Sequence, residues 1–244
     1  MTRSAALAVL ALAAAAAPRA SAGLPDPQTC EPQQIARSGA RMLDVAVRGI
    51  HAYVTGDYGG LLVYEVSKPG APALVARVGG VTPVYIEIEG DTGVLFEQLG
   101  TRLRLFSLDD PLAPSFESII PYQISYGGFD IEGDVLVMGE GRQVRVFSIA
   151  DPSAPALLFE STGLLNSFES ARTILIDGDR LAIGLGPINP SPTAVRGVRF
   201  ADFTDPAAPV QGALFTVPNF NGAMACSDGL CILTRSAGTG FELV

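Results

Sequence analysis

A proline-bracketed turn recurs four times in this chain: "SKPGAP" at 67–72, "DDPLAP" at 109–114, "DPSAP" at 151–155 and "TDPAAP" at 204–209. Pro69 and Pro111 are 42 residues apart, Pro111 and Pro152 are 41, and Pro152 and Pro206 are 54. The last interval reads as one unit carrying an insertion of about a dozen residues. A period this long, built from short apolar runs, points to a propeller blade of roughly four strands.

Each unit has the same parts in the same order. A first strand ends in a tight turn: "DVAVRG", "YIEIEG", "FDIEG", "ILIDG". A second follows: "HAYVTG", "GVLFEQ", "VLVMGE", "RLAIGL". A third ends at the proline turn: "LLVYEVS", "RLRLFSL", "QVRVFSI", "GVRFADF". The fourth begins just after it. The runs are short, rich in β-branched and aromatic residues, and separated by turn formers. No long stretch carries a helical period. Proline's fixed φ and missing N–H suit a turn or the start of an outer strand. An aspartate before it can bond the local backbone and set the turn.

First strands end at Val47, Ile88, Ile131, Ile176 and Cys226, which makes five units. The fifth, "AMACSDGLCILTRSAGTGFELV", lacks a fourth strand. The N-terminus supplies one. "CEPQQIARSGARMLDV" falls in register with "GAPALVARVGGVTPVY", with Pro32 on Pro72 and Arg37 on Arg77. The expected architecture is an all-β, five-bladed propeller in which residues 31–38 complete the last blade and remove an open sheet edge.

The units resemble the LVIVD-repeat β-propellers, exported bacterial and archaeal repeat proteins. The first unit matches best, through Asp44-Val45, Gly49, Ala52-Tyr53-Val54 and Gly60-Leu61. Later units keep mainly the glycine turn and the Asp-Pro-x-x-Pro segment. The resemblance implies a propeller and export. It implies no activity.

The N-terminus "MTRSAALAVLALAAAAAPRASA" has a basic start at Arg3, an apolar run over 5–17 and an Ala-Ser-Ala ending. It reads as a signal peptide over 1–22, removed after Ala22. The apolar run is too short to span a bilayer. Residues 23–244 then form a single propeller domain, secreted or held in the periplasm or cell envelope, with no membrane insertion after cleavage. The chain carries 16 basic against 25 acidic residues, a net charge of −9. Such a chain repels phosphate backbones and anionic lipid. Nucleic acid is therefore excluded as a partner, and a monomer is expected.

Chemistry-bearing residues are few. His51 is the only histidine and stands beside a hairpin turn, so no histidine zinc site and no catalytic triad is indicated. Cys226 and Cys231 flank the Asp228-Gly229 hairpin turn at facing positions, where export permits a disulfide. Cys30 replaces a turn residue and is expected at the surface. No calcium loop, Walker loop or nucleophile elbow occurs. No cofactor is expected. The alternative is a divalent-metal hydrolase of lactonase type, with calcium held by channel carboxylates Asp44, Glu87 and Asp130. Leu175 and Ala225 leave that ring incomplete.

Binding remains. The second-to-third and fourth-to-first connections of a propeller share one face. The expected binding face carries Asp57, Tyr58, Tyr122, Tyr126, Asn189, Arg196, Asn219 and Asn221, and suits an unknown protein or small ligand. The sequence thus points to a non-catalytic binding or scaffold module.

Overall fold

The computed structural model describes residues 42–56, 60–68, 70–97, 101–122, 128–166, 169–186, 195–218, 220–227, 230–235 and 241–243. Among them every regular element is a β-strand. The first sheet runs β1 (Met42–Arg48), β2 (His51–Gly56), β3 (Leu61–Glu65) and β4 (Ala73–Val78). The second runs β5 (Pro83–Glu89), β6 (Thr92–Glu97), β7 (Arg102–Ser107) and β8 (Ser115–Pro121). The third is β9 (Phe129–Glu132), β10 (Val135–Glu140), β11 (Gln143–Ser148) and β12 (Ala156–Ser161). The fourth is β13 (Ser170–Asp177), β14 (Arg180–Gly186), β15 (Gly197–Asp202) and β16 (Val210–Thr216). The last has three described strands: β17 (Phe220–Ser227), β18 (Leu230–Arg235) and β19 (Phe241–Leu243). Sequence neighbours pair throughout, so each sheet is an antiparallel meander. That is the expected all-β class with a four-stranded repeat. Residues 1–41, on which the expected signal peptide, Cys30 and the expected strand over 31–38 fall, lie outside the described residues.

Two local devices repeat with the sequence. The first is the hairpin between strands one and two of a sheet. Gly49, Gly90, Gly133 and Gly178 all sit at φ between 55° and 59°. A side chain at that φ would press on the neighbouring carbonyl, so glycine leads the turn and fits the primed geometry a twisted hairpin needs. The second is the proline turn. Asp151 Oδ1 accepts the Ser153 N–H at 3.0 Å, and its carbonyl accepts the Ala154 N–H at 3.0 Å. Asp205 repeats this with Ala207 at 2.9 Å and Ala208 at 3.0 Å. Proline occupies the position between, where no N–H is needed. Just before each turn the ladder slips by one residue: at Val63/Tyr64, Leu105/Phe106, Val146/Phe147 and Arg199/Ala201. A bulge at one place in each of these four sheets re-aims the outer strand in the same way.

The chain divides into two compact units. Described residues up to Ile86 with Pro111–Ala113 form the first, and Glu87–Asp110 with Pro114 onward form the second. In the first, Ala52, Val54, Leu62 and Tyr64 make a buried cluster with Val66 packed against it. In the second, Val137, Val144, Val146, Ile174, Ile183 and Leu185 belong to a larger buried cluster. A further one, with Ala182, Val198, Phe220 and Leu233, backs β17 and β18. The middle strands are apolar on both sides because a layer covers each face.

Candidate functional site

Within the second unit the meanders are aligned. Gly178 N donates to Glu132 Oε2 at 3.2 Å, joining two first hairpin turns. Ala171 N donates to Gly141 O at 2.8 Å, joining a second-to-third turn to the start of β13. Arg196 Nη1 donates to Phe220 O at 3.2 Å, joining the β14–β15 connection to the start of β17. The second-to-third and fourth-to-first connections of this unit therefore lie at one end, and the first hairpin turns and proline turns at the other.

Among the residues expected on the binding face, Arg196 stands exposed at this end. Tyr122 does not. It is 1% exposed, its hydroxyl donates to Gly139 O at 3.0 Å, and its ring meets Phe96 edge-on at 5.3 Å. This corrects the expectation: Tyr122 follows β8 and turns inward, its hydroxyl on the Gly139 carbonyl. Burial, with the charge of Glu140 second, pushes its phenol well above the ordinary range. Asp57, Tyr58, Tyr126, Asn189 and Asn219 lie outside the described residues, as does the side chain of Asn221.

What the sequence reading missed is a set of arginines at one repeat position. Arg104, Arg145 and Arg199 each occupy the third place of a central strand, and each reaches a carboxylate. Arg104 Nε meets Glu97 Oε2 at 3.0 Å, where Arg102 Nε also sits at 2.6 Å. Arg145 Nη2 meets Glu140 Oε2 at 2.6 Å and Pro121 O at 2.8 Å. Arg199 grips Glu169 with both arms, Nη2 to Oε1 at 2.6 Å and Nε to Oε2 at 3.1 Å. Glu169 is 0% exposed and Arg199 5%. Burial alone would raise the Glu169 carboxyl, but the bonds from Arg199 and Asn166 outweigh it and hold it below its usual value. Leu62 takes this position in the first sheet, buried and apolar. The signal was present in "RLRLF", "VRVF" and "VRF", an arginine among residues facing inward.

The candidate channel carboxylates do not stand level. Glu87 and Asp130 lie three residues before their turn glycines, as Leu175 does, while Asp44 lies five before Gly49. Ala46 holds the equivalent place. Asp44 spends one oxygen on the Val45 N–H at 2.9 Å and the other on the Ile86 N–H at 2.9 Å. Asp130 does the same with Ile131 at 2.9 Å and Ile176 at 2.6 Å. Burial raises the Asp44 carboxyl, partly opposed by those two amides. Among the described residues no three His, Cys, Asp or Glu side chains converge as metal ligands.

Cys226 and Cys231 face one another across the β17–β18 ladder and are joined in a disulfide. His51 opens β2 opposite Arg48. No helix among the described residues is long and apolar enough to cross a membrane. The disulfide is compatible with an extracellular protein. In the first unit an apolar cavity of about 350 Å³ is lined by Met42, Asp44, Val45, Val54, Tyr64 and Pro72, among others.

No family model matches the sequence, and no curated protein does. Solved structures do. A functionally unknown protein from Desulfotomaculum acetoxidans superposes at a TM-score of 0.65 with 18% identity, over 81% of this chain and 64% of that one. The N-terminal domain of Nup159 gives 0.55 and 10%, over 83% and 60%. A protein from Bacteroides uniformis described as a candidate 6-phosphogluconolactonase gives 0.56 and 12%, over 84% and 58%. The chain spans under two thirds of each of these structures. At such identities the likeness is one of fold alone. The sheets of this chain have a β-propeller fold.

Proposed function

We infer that this chain is an exported, non-catalytic β-propeller of five blades, and that it works as a binding or scaffold module. The observation that carries the reading is where the reactive groups go. Asp44, Asp130, Glu97 and Glu169 are carboxylates a buried catalytic site would draw on; Glu87, the remaining channel candidate, is exposed. Each of the four is committed to backbone amides or to arginine. Groups held this way build a rigid scaffold and leave specificity to the loops.

The leader over 1–22 supports export, and the disulfide accords with an oxidising compartment. Residues 31–38 match a fourth strand by register and in this reading join the three described strands of the last sheet. The LVIVD-type repeat remains a resemblance of sequence. The binding face in this reading is the end of the second unit that carries the β14–β15 connection, with Arg196, Asn189 and the chain around Asn219 and Asn221.

The test replaces residues 187–194 by a glycine-serine linker of equal length. Crosslinking in the envelope fraction is then compared between this variant and the parent chain. The reading expects an unchanged melting temperature and loss of the crosslinked species. Turnover of lactones or phosphotriesters by the parent chain, abolished by chelator, would overturn it.

A further inference from the structure

The charges of the second unit are sorted by end. From Glu87 onward every arginine but Arg180 lies at the end of the second-to-third and fourth-to-first connections, or on the strand halves that lead there. The opposite end carries the carboxylates of the turns, including exposed Asp91, Asp134 and Asp179 of the hairpins and Asp110, Asp151 and Asp205 before the prolines. The chain is acidic as a whole, yet one end of this unit is not.

At the basic end the carboxylates are the covered members of the ion pairs. Glu97 and Glu169 are 1% and 0% exposed, and the Glu140 side chain 9%. Their arginine partners are covered to different degrees, from Arg199, also buried, to Arg102. Arg102 keeps 37% of its side chain exposed, and Arg142 and Arg196 are exposed. Glu160 is exposed here and accepts from Gln143 at 2.6 Å, and Glu242 stands opposite Leu233 on the β19 half that leads to this end. The sequences joining these strands, 98–100, 123–127, 167–168, 187–194 and 236–240, contain no charged residue. They cannot cancel the arginines.

We propose that this end of the second unit docks a carboxylate-rich protein segment, with Arg102, Arg142 and Arg196 as its outward contacts. The proposal rests on the reading of this end as the binding face and names the chemistry of the partner. Guanidinium forks match carboxylates in pairs, and buried glutamates hold the inner arginines in place. A long polyanion such as nucleic acid is opposed by the net charge of −9 and by the acidic turns at the far end. A short acidic segment meets only the basic end, which also steers its approach.

The probe is a fluorescent oligoglutamate of about ten residues, long enough to span several arginines. Its anisotropy is read against residues 23–244 at low salt, with oligoglutamine and a single-stranded oligonucleotide alongside. Oligoglutamate binding is expected to weaken at least about tenfold in the combined R102Q, R142Q and R196Q variant, and to weaken with added salt. Arg180→Gln, at the far end, should leave it unchanged. Arg142→Gln alone, at an exposed position, should give a smaller loss and guards against misfolding of the combined variant. No binding of oligoglutamate, equal binding by the combined variant, or tighter binding of oligoglutamine or the oligonucleotide would overturn the proposal. Loss of the crosslinked species on replacing 187–194, with the arginine variants still binding normally, would sink the charge assignment and leave the binding face standing.

Discussion

Asp130 Oδ2 accepts the backbone N–H of Ile176 at 2.6 Å, tying the first strand of one sheet to the first strand of the next. The same relationship joins Asp44 to Ile86 in the first unit, shifted by two residues along the strand. In both, the second oxygen caps the residue that follows the aspartate. These carboxylates act as staples between layers.

Asp130→Ala removes the carboxylate that accepts from two amides, those of Ile131 and Ile176. The cost should be about 1–3 kcal/mol. Asp130→Asn keeps one acceptor oxygen and should cost less. Urea denaturation of the two variants checks the order. Equal stability of Asp130→Ala and the parent chain would refute the staple.

Arg199 and Glu169 form a buried, two-armed pair. Removing one partner strands the other, so Arg199→Leu should cost about 3–5 kcal/mol. Replacing both by leucine should recover part of that loss. The folded Glu169 carboxyl sits below its ordinary 4.5. Its contribution is therefore full above that value and is lost as pH falls through the folded pKa. Acid unfolding curves should show this loss in the parent chain, and the double leucine variant should lack it.

Tyr122→Phe removes one buried hydroxyl from Gly139 O. It should lower stability by about 0.5–1.5 kcal/mol and leave oligoglutamate affinity as it was. A change in affinity at constant stability would return Tyr122 to the binding face.

The Cys226–Cys231 bond closes a short loop, worth about 2 kcal/mol by chain entropy. The Cys226→Ala, Cys231→Ala pair, or added reductant, should lower the melting temperature by a few degrees. The protein should still fold, because Cys231 is a small buried hydrophobe backed by Leu233 and Phe220.

Much of this architecture is legible from local chemistry. The glycine that leads each hairpin and the aspartate before each proline are dictated by backbone needs. Those needs repeat every 42 residues or so, and a sequence period displays them directly. The facing cysteines follow from a two-residue turn by counting. The site was harder to read. Tyr122 looks like a loop tyrosine because nothing nearby in sequence announces the Gly139 carbonyl from another strand. Asp44 looks level with Glu87 until the turn glycines are used as the ruler. Arg104, Arg145 and Arg199 drew no reading from the sequence, because their partners come from other strands or, for Arg199, from a position 30 residues away. Charge sorting by end becomes visible only when strand direction is assigned.

The measurement that bears most directly on the account is the thermal melt of residues 23–244 in calcium and then in chelator, without reductant. A scaffold whose carboxylates are spent on amides and arginines gives the same melting temperature in both. A rise of several degrees with calcium, lost in Asp44→Asn or Glu87→Gln, would mean that channel carboxylates hold a metal and would contradict the non-catalytic reading.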